Sequence, residues 1–161
     1  IHIMHENILI ISSDGDFLQL QQYNNKSKFK LKQYNPVQKK FVKSEDPIRD
    51  LREKIIRGDK GDGIPNILSP GDCFVREVRQ KTITKNILEK LMSESVSDWN
   101  ETVRSGFSRN EMLIDLKFIP DGIKQKIINT FETVKPASKQ KMLNYFIENK
   151  LKNLLEVIEE F

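Results

Sequence analysis

The segment Ile8-Leu9-Ile10-Ile11 constrains the fold of this chain more than any other feature. A continuous aliphatic run of this kind reads as a strand buried on both faces, as found inside a parallel sheet. Such a strand needs neighbours on either side, yet little precedes it in a chain that opens on Ile1. The expectation is that the N-terminal part of a larger protein is missing or is supplied by another chain. The other reading is a fragment that makes a small sheet of its own.

Ser12-Ser13-Asp14-Gly15-Asp16 follows the strand, and Phe17-Leu18-Gln19-Leu20 reads as a short helix. Residues 28–43 alternate, with Phe29 and Leu31 on one face and Lys28, Lys30 and Lys32 on the other. With Asn35-Pro36 as the turn and Lys40-Phe41-Val42 returning, they predict a β-hairpin with a lysine-coated face. Asp46 as N-cap and Pro47 at the first helical position open a helix whose stripe is Ile48, Leu51 and Ile55. The loop Asp59-Lys60-Gly61-Asp62-Gly63-Ile64-Pro65 is rich in turn formers. From about Thr82 the remainder reads as helices. Their stripes are Ile83, Ile87, Leu88 and Leu91; then Ile123, Ile127, Ile128 and Phe131; then Met142, Leu143, Phe146 and Ile147; then Leu151, Leu154, Leu155 and Ile158. Each stripe reads as core, and Ser108-Arg109-Asn110-Glu111 reads as a capping box opening a helix.

Several classes are excluded at once. The single cysteine, Cys73, rules out a disulfide framework or a cysteine-based zinc cluster. The two histidines, His2 and His5, stand at the start of the chain, away from any site that they would centre. The longest apolar run is far too short for a membrane span or signal peptide. A cytoplasmic, mildly basic protein of 161 residues and net charge +4 is expected.

Two aspartate pairs stand out as candidates for chemistry. Asp14 and Asp16 lie two apart past a strand end, so in an extended chain their side chains point the same way. The carboxyl ends of parallel strands are also where open α/β sheets bind ligands. Asp59 and Asp62 lie three apart, which in a helical turn sets them on one face. If folding joins the pairs, their repulsion demands cations, and oxygen-only ligands select Mg²⁺ or Mn²⁺. Taken singly, each pair also reads as ordinary turn and cap residues. An EF-hand starting at Asp14 fails, since Leu18 and Asn25 occupy its fifth and twelfth positions, and there is no phosphate loop of the G-x-x-x-x-G-K-[ST] type. Between Asn24 and Lys60 twelve bases face five acids, a surplus larger than that of the whole chain. A basic zone between acidic clusters suits a polyanion held by its phosphates, while the plainer reading is lysines protecting a sheet edge.

Ile8–Leu20, ILIISSDGDFLQL, and Arg57–Ile67, RGDKGDGIPNI, resemble two signature segments of the flap endonuclease/5′→3′ exonuclease family, in its phage branch. The resemblance implies an α/β region followed by a mostly α region. Residues 1–70 would be the C-terminal part of a PIN-like 5′-nuclease parallel-sheet domain with its basic hairpin, and residues 71–161 a helical DNA-binding region. It also implies a nuclease that removes RNA primers and 5′ flaps in replication, with two Mg²⁺ (or Mn²⁺) ions in a carboxylate cluster. Asp14, Asp16, Asp59 and Asp62 match the acids of the second metal position. The segment after Asp62 matches a helix–three-turn–helix element that grips duplex phosphates, with Arg79, Lys81, Thr82 and Lys85 as contacts beside Lys28, Lys30, Lys32 and Lys60. The family's usual Gly-x-Gly hairpin is replaced by Asn66-Ile67-Leu68-Ser69-Pro70-Gly71. The acids of the first metal lie in an N-terminal half that this chain lacks, so weak or no cleavage is expected of these residues alone. DNA and RNA/DNA duplexes with 5′ ends or flaps are the implied substrates, and a single-stranded-DNA-binding protein and a sliding clamp the implied partners. A non-catalytic duplex-binding module and one half of a split nuclease are the alternatives.

Overall fold

The computed structural model describes residues 6–135 and 138–160; His2, His5 and Phe161 lie outside them. Three strands, β1 (Ile8–Ile11), β2 (Leu31–Asn35) and β3 (Lys40–Val42), form one sheet in the order β1-β2-β3. β1 and β2 are parallel and β2 and β3 antiparallel, so the hairpin expected in residues 28–43 is present, but only from Leu31. Asn35 shapes its turn, accepting from the backbone N–H groups of Val37 and Gln38 at 3.0 and 2.9 Å.

The centre of the sheet is β2, not the aliphatic run. β1 pairs only with β2 among the described residues, and its Leu9 and Ile11 are 54% and 67% exposed. The register explains the departure: Ile11, Tyr34 and Phe41 form one row across the three strands, and Phe41 is also exposed. On the opposite face Leu31, Gln33 and Asn35 are buried. The aliphatic composition thus signalled a strand correctly, while its burial depends on what lies against its second face.

The crossover from β1 to β2 is a 3₁₀ helix, Gly15–Asn25, longer than the four-residue helix expected there. Its buried amides tie it to the surrounding chain. Gln19 donates to the Ile114 carbonyl at 3.1 Å and accepts from the Leu116 N–H at 3.0 Å, and Gln21 donates to the Val42 carbonyl at 3.1 Å. From β2, Gln33 donates to the carbonyls of Ser12 and Asp14 at 3.0 and 2.6 Å, fixing the turn that ends β1.

Helix α1 (Pro47–Arg57) opens as expected, with Asp46 accepting from the Arg49 N–H at 3.0 Å and Pro47 in the first turn. It buries Ile55 and Ile56, whereas Ile48 is 61% exposed. α2 (Lys85–Ser93) is capped by Thr84, and α3 (Glu101–Ile114) by Asn100, whose side chain accepts from the Val103 N–H at 3.0 Å. Ser108-Arg109-Asn110-Glu111 is therefore not a helix start but the interior of α3. The core joins Ile55, Ile56, Ile67, Leu88, Leu91, Trp99, Phe107 and Ile114 across the division anticipated at residue 70. Trp99 and Phe107 meet edge to face at 5.4 Å, with the Arg52 guanidinium 5.5 Å over Trp99.

The chain divides into two units, Ile1–Ile119 and Pro120–Phe161. The second contains α4 (Asp121–Thr133), α5 (Lys139–Glu148) and α6 (Lys152–Glu156). Taken by itself, it buries one described side chain, Phe146, and leaves Ile123, Ile127 and Phe131 of the expected α4 stripe more than half exposed. Helices this short enclose little apolar surface among themselves. Among the described residues no helix is long and apolar enough to cross a membrane.

Candidate functional site

The two sequence segments that carry aspartate pairs meet. Asp16 opens the 3₁₀ helix beyond β1, and Asp59 follows α1 by two residues. One carboxylate oxygen from each of Asp16, Asp59 and Asp62 lies within 4.8 Å of the other two. Asp14 stands outside this group: its exposed carboxylate caps the 3₁₀ helix, accepting from the Asp16 N–H at 2.9 Å. The structure therefore brings together three of the four expected acids.

Local backbone geometry dictates where Asp59 and Asp62 stand. Gly58 ends α1 at φ 71°, and a Cβ there would lie 2.4 Å from the Ile64 carbonyl oxygen, so the glycine permits the close turn into the acid loop. Asp59 and Ile64 then exchange both backbone hydrogen bonds, at 2.8 and 2.7 Å, and close the loop between them. Inside it the Asp59 carboxylate accepts from the Gly61 and Asp62 N–H groups at 2.9 and 3.4 Å. The doublet meets through this closed loop rather than through the helical turn that its spacing suggested.

The loop is anchored from α3. Asn110, fully buried, donates to the carbonyls of Ile55 and Pro65 at 2.9 and 2.8 Å, bracketing the acid loop at both ends. Arg109 donates to Asn110 Oδ1 at 2.9 Å and to the Pro65 carbonyl at 3.2 Å, and burial pushes its guanidinium pKa down. Beyond Pro65, Asn66 accepts from Leu68 and Ser69 and donates to the Lys81 carbonyl at 2.7 Å, which fixes the following turns. Reading the sequence as a capping box hid Asn110, because its partners lie 55 and 45 residues away.

Lys54, in the last turn of α1, is the other member of the site that the sequence did not reveal. Its ammonium contacts Asp16 Oδ1 and lies 3.0 Å from Asp59 Oδ2, with all three side chains about three-quarters buried. The hydrogen bond from Lys54 holds the Asp59 carboxyl below the usual carboxylate range; partial burial opposes this, and the Lys54 charge and the loop N–H groups reinforce it. Asp16 Oδ1 is buried, and its partner is the Lys54 ammonium. Carboxylates this close repel by on the order of 3 kcal/mol per pair at an effective dielectric constant of about 20. One ammonium offsets part of that. The donor set fits a hard divalent cation: all oxygen, from three carboxylates held within 4.8 Å of one another.

The expected basic contacts fall into two places. Lys60, Arg79, Lys81 and Thr82 line one open groove of about 550 Å³, together with the acid Glu77. Lys60 neighbours Asp59 in sequence, so the groove adjoins the acid loop. Lys85 begins α2 beyond it, 3.9 Å from Glu89. The hairpin lysines are arranged differently. Lys30 donates to the Asn24 carbonyl at 2.7 Å, Lys28 stands 5.0 Å over the Phe29 ring, and Lys32 alone projects from β2, 6.0 Å from the Phe41 ring.

The family model described as T4 RNase H, C terminal, matches residues 46–161, which include α1, the acid loop and the Asn110 anchor. The chain belongs to that family, and so to the flap endonuclease/5′→3′ exonuclease group that its signature segments resemble. "Ribonuclease H" of Enterobacteria phage T4 is 33% identical over 162 aligned positions, covering 96% of this chain and 52% of the relative. The chain thus spans about half the length of that curated relative, its C-terminal part.

Proposed function

We propose that this chain is the C-terminal part of a metal-dependent 5′→3′ exonuclease and flap endonuclease that hydrolyses phosphodiesters in duplexes bearing 5′ ends or RNA primers. The observation that carries the reading is the convergence of Asp16, Asp59 and Asp62. These residues would hold Mg²⁺ or Mn²⁺ at one position, and the remaining acids of a two-ion site would come from the missing half. When bound, such ions supply the charge that makes water a nucleophile at neutral pH and balances the leaving oxygen. The chain's own residues orient and bind. The Asp59–Ile64 loop presents carboxylates in a fixed array, and the groove of Lys60, Arg79, Lys81 and Thr82 offers cations and a hydroxyl to backbone phosphates beside it. The run of turns after Asp62 that leads into α2 is the segment we assign to a helix–three-turn–helix grip on the duplex.

The exposed apolar row of Leu9, Ile11 and Phe41 supports an N-terminal half, in cis or trans, as the second layer of the sheet. The test mixes the chain with the other half of the phage T4 relative, Mg²⁺ and a 5′-flap or RNA/DNA duplex. Cleavage is expected from the mixture and little or none from the chain alone. Asp16→Asn with Asp59→Asn abolishes cleavage and leaves duplex binding intact. Robust cleavage by the chain alone overturns the half-site. Cleavage that survives both substitutions overturns the metal role, and binding without cleavage in every mixture leaves a duplex-binding module.

A further inference from the structure

Lys54 occupies an unusual position for a basic side chain. It lies on the acid cluster, touching two of its three carboxylates, whereas the lysines and arginine offered to phosphates line the groove or the hairpin. The placement follows from the helix. Lys54 belongs to the last turn of α1, and its carbonyl accepts the Gly58 N–H at 2.8 Å, so its backbone is tied to the turn that delivers Asp59. A cation is also favoured by the carbonyl end of a helix. An ammonium has three donors and no fixed geometry, so it can satisfy carboxylates that diverge from one another.

We propose that Lys54 is a built-in counter-ion of the acid cluster, which holds Asp16 and Asp59 together in the metal-free protein and competes with a divalent cation for the same oxygens. The inference rests on the metal-site reading above. Asp16 Oδ1 is buried and its partner is the Lys54 ammonium, so an ion ligated there takes the contact that Lys54 now makes. The ammonium is also 3.0 Å from Asp59 Oδ2, so a second cation on that carboxylate faces an uncompensated positive charge at short range. Loading therefore requires the four-carbon stem to swing the ammonium out, and the side chain's partial exposure leaves it a path to water. Lys54 is a positioning residue: it sets the spacing of the ligands before the ion arrives and the affinity at which the ion is accepted.

The roles can be separated without any cleavage assay. Mn²⁺ is titrated into the 161-residue chain and followed by electron paramagnetic resonance, with the melting temperature recorded with and without the ion. Lys54→Met, which keeps the stem and removes the charge, is expected to bind Mn²⁺ about ten-fold more tightly. It should melt lower than wild type without metal and gain more from its addition. Lys54→Gln is read the same way and serves if the Met variant does not fold. Lys40→Met removes an equal charge from an exposed position on β3 and is expected to change affinity less than two-fold, since screening weakens distant charges. Unchanged or weaker Mn²⁺ binding in both Lys54 variants overturns the proposal while leaving the metal site in place, because a merely structural lysine lowers affinity when removed. Equal tightening by Lys40→Met also overturns it, since net charge then accounts for the effect. Absence of saturable Mn²⁺ binding in wild type and variants alike overturns the metal-site reading and this inference with it.

Discussion

The acid loop and the basic hairpin are neighbours in sequence and opposite in construction. Asp59–Ile64 is closed by its own backbone and bracketed by a fully buried asparagine from a distant helix. Lys28, Lys30 and Lys32 project from a segment whose side-chain contacts are local or solvated. The difference follows from the charges themselves. Carboxylates brought within 4.8 Å repel and must be held by the surrounding structure, so fixing them needs long-range bonds. Lysines on an exposed face need no such support and can follow a mobile polyanion.

The largest effect that would break this contrast is at Asn110. Asn110→Ala leaves the Ile55 and Pro65 carbonyls without their donor and opens a void in α3. It is expected to cost about 3 kcal/mol in urea unfolding and to weaken Mn²⁺ binding with it. A loss below about 0.5 kcal/mol would mean that the loop holds itself. Next is Gly58→Ala, which drives a methyl against the Ile64 and Pro65 backbone at a positive φ. It is expected to cost about 2 kcal/mol in the same assay.

A smaller effect is read from pH. Asp59 has a folded pKa below its ordinary value, so the stability it gains from Lys54 is complete above about pH 4 and is lost as pH falls through the folded value. The stability gap between wild type and Asp59→Asn should be widest near neutrality and narrow in acid; a gap constant with pH would detach Asp59 from Lys54. The smallest stability effect belongs to the hairpin. Replacing Lys28 and Lys32 together by Ala should change stability by less than about 0.5 kcal/mol. The same change should flatten the salt dependence of duplex binding by roughly 0.9 per lost phosphate contact. An unchanged salt slope would assign the hairpin lysines to surface solvation only.

Local chemistry was legible in the residues. The strand at Ile8, the Asp46-Pro47 helix start and the Asn35 turn follow from short-range preferences, and the structure contains each element where those preferences set it. What depended on distant partners was not. The aliphatic run of β1 does not announce that one face, with Leu9 and Ile11, is exposed. Asn110 falls inside a Ser108–Glu111 pattern that reads as a capping box, and nothing local points to the two remote carbonyls it holds. Lys54 carries no motif; only the meeting of the 3₁₀ helix with α1 places it against Asp16. The α4 stripe of Ile123, Ile127 and Phe131 has helical periodicity, yet period alone does not name a partner.

The central claim is that Asp16, Asp59 and Asp62 form a cation site. Crystals grown with Mn²⁺ and measured near the manganese absorption edge test it directly. The account predicts an anomalous peak bounded by those three carboxylates, with the Lys54 ammonium displaced from Asp16. No peak there at saturating Mn²⁺, with Lys54 still bridging Asp16 and Asp59, would contradict it.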